Sequence, residues 1–300
     1  VLTWLARDID RERLGTLLQS ADWRYVAAAF GLKLGSLVLH EVRTWMPLPR
    51  PRPPLSPLVR MCLGVGMLNL VFPGRAGDIG IIAALNRRFA VPVGTATAVV
   101  GVTSFIEAAV FGLILLAALG AALSGSGGVV DAGTLADLVP TVAAAAAASV
   151  AGVGVAVALG RWRASRPEPT GVAGVLHRTL VDTAALLTSP GELAANTGLA
   201  LAQVGLLVAA FAAGLPAVGL HDLPAVATAS QVLAISSLAS VLLPPSWGVG
   251  PAAASRLVLT AAGHSAEEAL VYAGVYWLIA HVPFLAIGLP SLWWQEGERG

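Results

Sequence analysis

Apolar runs of 18 or more residues recur along the whole chain, each long enough to cross a hydrocarbon core of about 30 Å. This feature constrains the fold most, because a backbone in lipid must satisfy its own polar groups, and a helix does so within one segment. Composition excludes a soluble alternative. Of 300 residues, 56% are hydrophobic and 12% charged, and the mean hydropathy is +0.79. A soluble domain carries about a quarter charged residues, so the polar groups here cannot cover a globular surface. The length accommodates roughly six to eight hydrophobic segments in a single membrane domain over 1–300, with no room for a soluble enzyme domain. The net charge of +1 says nothing about partners. The only cysteine, Cys62, supports neither a disulfide framework nor a thiolate metal site. Residue 1 is Val, so the numbering is expected to start inside a longer product, with Val1–Ala6 the tail of a preceding helix.

Apolar periodicity predicts helices over 23–46, 94–121, 138–160, 192–214 and 268–294. Arg50, Arg52, Arg60, Arg87, Arg88, Arg161, Arg163, Arg166 and Arg178 mark three cytoplasmic loops, whereas 124–137 holds two Asp and neither Lys nor Arg. That stretch is therefore placed outside. Residues 176–188 read as an interfacial amphipathic helix whose polar side carries His177, Arg178 and Asp182.

Two regions fit no simple span. The first, 58–90, is broken by Pro73-Gly74-Arg75-Ala76-Gly77-Asp78, and its leading apolar stretch from Met61 to Phe72 has 12 residues. At about 1.5 Å per residue it is too short to cross. The second, 225–263, is broken around Pro244-Pro245-Ser246-Trp247-Gly248. Both read as re-entrant hairpins, whose exposed backbone is tolerable only inside protein or beside a watery cavity. The loop charges bring them in from opposite faces. The expected architecture is an all-α bundle with an inverted repeat: a first half over about 23–121, a connecting helix 138–160, and a second half over about 192–294.

The charged residues within these segments are the candidate site, since each costs at least about 2.5–3.5 kcal/mol at the membrane centre. Arg75, Gly77 and the helix N-terminus after the break suit a phosphate or carboxylate, with Asn69 orienting the loop. An Arg75–Asp78 ion pair that merely ties the hairpin down is the alternative. Lys33, the single lysine, lies mid-helix on a stripe with Ser36 and His40, with Glu41 and Thr44 close by. It reads as a partner for a lipid phosphate, or as a snorkelling side chain paired with Glu41 or Glu107. Glu107 suggests proton coupling or a counter-ion for Arg75, and Asp78 joins it in balancing charge. In the second hairpin Trp247 and Arg256 flank the returning half-helix as candidate headgroup contacts. His281, alone in an apolar helix, reads as structural. No phosphate loop, His-Glu-x-x-His or Gly-x-Ser-x-Gly is present, so neither enzyme chemistry, a cofactor nor a metal is expected.

The run Arg60…Gly64…Asn69-Leu70-Val71-Phe72-Pro73-Gly74-Arg75-Ala76-Gly77-Asp78, followed by Leu85-Asn86-Arg87-Arg88-Phe89-Ala90-Val91-Pro92, resembles the flippase-like transmembrane domain of lysylphosphatidylglycerol synthases. Pro245…Gly248-Val249-Gly250…Ala253 and Ala262-Gly263-His264-Ser265 resemble its C-terminal signature. The likeness covers most of 20–294 and implies a stand-alone member without the synthase domain, with a further helix before Val1. It implies movement of an anionic or aminoacylated phospholipid, or of a lipid-linked sugar, between leaflets, and it adds Arg60 to the candidate contacts. The chain departs from the family where an Arg usually follows the motif's acid, here near Ile81. It departs again where Glu-Arg then Asp is usual, here Thr103-Ser104 and Glu107.

The expected function is lipid translocation in a multi-pass protein of the cell's inner membrane, with phospholipid and membrane as partners and no nucleic acid. The alternatives are a proton- or sodium-coupled transporter of a small anion or amino acid, and a non-transporting partner of a separate membrane enzyme.

Overall fold

The computed structural model describes residues 10–71, 76–123, 139–242 and 248–297. Every regular element among them is a helix. In chain order these are α1 (Arg11–Gln19), α2 (Trp23–Trp45), α3 (Leu55–Gly66), α4 (Leu68–Val71), α5 (Ala76–Phe89) and α6 (Val93–Leu123). There follow α7 (Val139–Ala164), α8 (Gly171–Thr188), α9 (Pro190–Ala217), α10 (Ala225–Leu242), α11 (Val249–Ala261) and α12 (Ala266–Gly297). Among the described residues, four spans are long and apolar enough to cross a membrane: Trp23–Trp45, Val93–Ile114, Pro190–Ala217 and Ala266–Ser291. They match four of the five helices expected from sequence, and α7 occupies the place of the fifth. α6 is 31 residues long, about 46 Å at ~1.5 Å per residue.

Local chemistry sets the ends. Asp10 caps α1 by accepting from the backbone N–H groups of Glu12 and Arg13. Pro190 opens α9 at a position where a missing N–H is harmless. The turn from α11 to α12 carries two stop-and-start devices in succession. Gly263 sits at φ 91, and the N–H groups of His264 and Gly263 fold back onto the carbonyls of Leu259 and Thr260. Ser265 and Glu268 then cap α12 reciprocally: Glu268 N–H donates to Ser265 Oγ at 3.2 Å, and Ser265 N–H to Glu268 Oε2 at 2.9 Å.

The chain divides into two compact units. One holds 1–36, 111–142 and 204–283, and includes α1, α10, α11 and most of α12. Its interior is built on Tyr272, whose hydroxyl donates to the Phe211 carbonyl at 3.0 Å, and on Tyr276 stacked on Phe211 at 3.9 Å. His281 stacks on Trp277 and donates its Nδ1–H to that residue's carbonyl at 2.9 Å, so this histidine is internally satisfied. α10 and α11 pack against each other.

The other unit holds 37–110, 143–203 and 284–300. Its apolar core gathers Leu58, Met61 and Cys62 of α3, Ile81 and Leu85 of α5, and Ala96 and Val99 of α6. α3 has 12 residues and α5 has 14, so each is about 18–21 Å long, short of a hydrocarbon core. α8 lies against α6 and α7 across glycines. A Cβ at Gly94 would stand 2.7 Å from the Val175 carbonyl oxygen, and one at Gly160 would strike the Leu180 carbonyl. α8 begins five residues earlier than its amphipathic pattern alone suggests. Its polar side also differs from expectation, because His177 is buried and Asp182 accepts a hydrogen bond from Thr95 of α6 at 2.6 Å. Val172, Leu176 and Val175 face outward instead, as suits a helix lying on lipid.

Candidate functional site

The most deeply buried cation described is Arg43, in the last turn of α2, with no accessible surface. A guanidinium stays charged in proteins, so its five donors must be matched inside the bundle. Two helices, α9 and α6, supply the match. Nε–H donates to Asn196 Oδ1 of α9 at 3.0 Å, Nη1 to Gln203 Oε1 of α9 at 2.5 Å, and Nη2 to the Thr103 carbonyl of α6 at 2.8 Å. The Glu107 carboxylate of α6 stands 3.6 Å from Nη1. It also lies 2.9 Å from Nδ1 of His40, one turn before Arg43.

Helical spacing explains the convergence. His40 and Arg43 are three apart on α2, Thr103 and Glu107 four apart on α6, and Asn196 and Gln203 seven apart on α9. Each pair shares one face, and the three faces meet. Glu41, only 3% exposed, completes the set. One carboxyl oxygen, Oε2, is buried without a hydrogen-bond partner, as is the Thr103 hydroxyl. The cavity beside Asn196 measures about 10 Å³, at the lower edge of what one water needs. It is lined by Met46, Pro47, Val102, Ile106, Leu186, Glu192 and Leu193 as well. That space is too small for a lipid headgroup, while His40 and Glu107 keep part of their surface exposed.

The first hairpin forms a second polar focus in the same unit. Asn69 spans the break: its Oδ1 accepts from Gly77 N–H at 2.6 Å, and its Nδ2 donates to Asp78 Oδ1 at 3.2 Å. The carboxylate in the first turn of α5 also suits the positive end of that helix. A Cβ at Gly77 would stand 2.7 Å from the Asn69 amide carbon, so glycine is what lets the two half-helices approach. Arg75 lies outside the described residues, as does Trp247.

The structure thus brings Asn69, Gly77 and Asp78 together, and places Glu107 against His40 and Arg43. Arg60 lies on α3 and reaches Ser56, with Nη2 3.1 Å from its hydroxyl. Lys33 and Arg256 are half-buried in the other compact unit, on α2 and α11. At the end of α7, Trp162 lies under the guanidinium groups of Arg166 and Arg163, at 3.8 and 5.1 Å from its centroid. Arg178 pairs with Glu168 at 2.7 Å, and that hydrogen bond and charge raise its pKa further.

Sequence reasoning missed Arg43 as a site residue. An arginine near a span's end, four residues before Pro47, reads as a flanking anchor. The available signal was its position three residues after His40, on the polar stripe already visible in α2.

No curated protein and no solved structure matches the chain. The family described as the lysylphosphatidylglycerol synthase TM region matches residues 1–288. With its helices long enough to cross a membrane and Arg43 and Glu41 buried among them, this multi-pass membrane protein belongs to the lysylphosphatidylglycerol synthase TM region family.

Proposed function

We propose that the protein translocates lipid between leaflets, acting on an anionic or aminoacylated phospholipid or a lipid-linked headgroup in the inner cell membrane. The observation that carries this reading is Arg43, a permanent cation with no solvent contact inside a membrane bundle. Such a group is expensive to insert. Its planar fork matches phosphate oxygens as well as carboxylates. In this arrangement Glu107 occupies the anion's place, 3.6 Å from Nη1 of Arg43. A lipid phosphate would take that place when the helices part, while its acyl chains stay in the bilayer. Crossing is otherwise slow because the headgroup must be stripped of water.

On this reading the two broken hairpins are re-entrant and form opposed halves of an inverted repeat. The shortness of α3 and α11, at 12 and 13 residues, supports it. Asn69 and Asp78 hold the first hairpin's tip, where Arg75 would meet the headgroup. The protein makes and breaks no covalent bond.

The test is leaflet exchange of labelled phospholipids in proteoliposomes, comparing wild type with Arg43→Gln and Arg75→Ala. Rapid exchange that both substitutions reduce at least about tenfold, or about 1.4 kcal/mol of barrier, supports the reading. No exchange above empty liposomes, with several headgroups tried, overturns it in favour of a small-anion transporter.

A further inference from the structure

We propose that the Glu41–His40 pair beside Arg43 is a proton-binding site, and that one proton enters the cluster with each anionic headgroup. The coupling rests on the translocation reading, whereas the proton site stands on geometry alone.

The geometry is that of a charge count which closes only with a movable proton. Arg43 contributes one positive charge and Glu107, within 3.6 Å of it, one negative. His40 is committed at Nδ1 to Glu107, at 2.9 Å, and a neutral imidazole that donates there keeps a lone pair on Nε2. Glu41 is 97% buried with Oε2 unpartnered, although it lies among charged groups. The groups that act on it are His40 on its own helix, Glu107 of α6, the Cys62 thiol of α3 and Asp78 of α5. Arg43 and Glu107 act on His40 as well.

With Oε2 buried and unpartnered, an ionised Glu41 would leave the cluster with one excess negative charge, a costly state in low dielectric. Glu41 as the neutral acid removes it: Arg43 positive, Glu107 negative, His40 and Glu41 neutral. The same total is reached with the proton on His40 and Glu41 ionised. One proton therefore belongs to the pair, and its transfer from one member to the other leaves the net charge at zero.

An arriving phosphate monoanion changes the sum. With Arg43 positive and Glu107 and phosphate both negative, neutrality returns when His40 takes one further proton at Nε2 while Glu41 stays protonated. That proton comes from the aqueous side to which the site is then open, and it is released when the headgroup leaves. No net charge crosses the membrane, so the movement responds to a pH gradient and not to membrane potential.

Two measurements separate the halves of the inference. A hydrophobic carbodiimide adds to protonated buried carboxyls. Mass spectrometry of the treated protein in detergent should find the adduct on Glu41 at neutral pH, absent in Glu41→Gln, weaker at alkaline pH, and not on Glu107. In proteoliposomes, a gradient of one pH unit should drive labelled phosphatidylglycerol to a leaflet ratio approaching about tenfold, the limit for one proton per head. A protonophore should abolish the bias, and a potassium diffusion potential should leave it unchanged.

Exchange that ignores the gradient, with Glu41 unmodified, overturns the proton site and leaves translocation standing. Adduct on Glu41 without any lipid exchange keeps the proton site and removes the coupling together with the translocation reading. Bias that follows the diffusion potential overturns the electroneutral stoichiometry. The wild-type protein alone decides each of these, so a folding defect in Glu41→Gln leaves the test intact.

Discussion

At the scale of single residues, Arg43 is the point on which most other groups depend. Removing its charge leaves the half-buried Glu107 without its guanidinium partner and with His40 opposite, at a cost below that of a fully buried pair, about 3–5 kcal/mol. Arg43→Leu is therefore expected to lower the melting temperature in detergent sharply. Arg43→Lys should fall less in stability yet lose exchange activity, because an ammonium cannot span Asn196, Gln203 and the Thr103 carbonyl at once. Glu107→Gln in the Arg43→Leu background should recover part of the lost stability, since the unpaired carboxylate is then gone. How little of this was legible beforehand has a physical reason. The intramembrane charges Glu107 and Glu41 stand out against apolar neighbours in the sequence. Arg43 does not, because its sequence position is equally that of a flanking cation. Its amide partners lie more than 150 residues away, and no local pattern encodes that pairing.

At the scale of elements, the long helices were readable because length and apolarity decide them, and their ends fall within a few residues of the expected ones. α8 was read short. Gly171 and Gly174 argue against helix by propensity, yet Gly174 lets the first turn close against the Pro169 carbonyl. The first hairpin supplies a sharper prediction. Gly77→Ala drives a methyl into the Asn69 amide and should break both of its hydrogen bonds. Asn69→Ala loses the same bonds by deletion. Each substitution alone is expected to cost about 0.5–1.5 kcal/mol. The double variant should cost markedly less than their sum, measured as thermal unfolding of the purified protein. Additive losses would mean that Gly77 and Asn69 act separately. Ser265→Ala, which removes one arm of the α12 cap, should cost about 1 kcal/mol by the same measurement.

For the whole molecule, the arginine-bearing loops predict an orientation with those loops in the cytoplasm, and the single cysteine makes that checkable. Cys62 is buried, so in a Cys62→Ser background a lone cysteine can be placed at will. An impermeant maleimide added outside intact cells should modify Asp222→Cys and spare Arg87→Cys until the membrane is opened. The reverse pattern would invert the assignment of loops. The length of α6 adds a consequence of its own. Thirty-one apolar-patterned residues, about 46 Å of helix, exceed a hydrocarbon layer of about 30 Å. The surplus must be hidden by leaning, by bending, or by a bilayer that swells to meet it, and the last grows harder as the lipid tails shorten. The acyl-chain length of the surrounding membrane is thus a setting to which this protein responds.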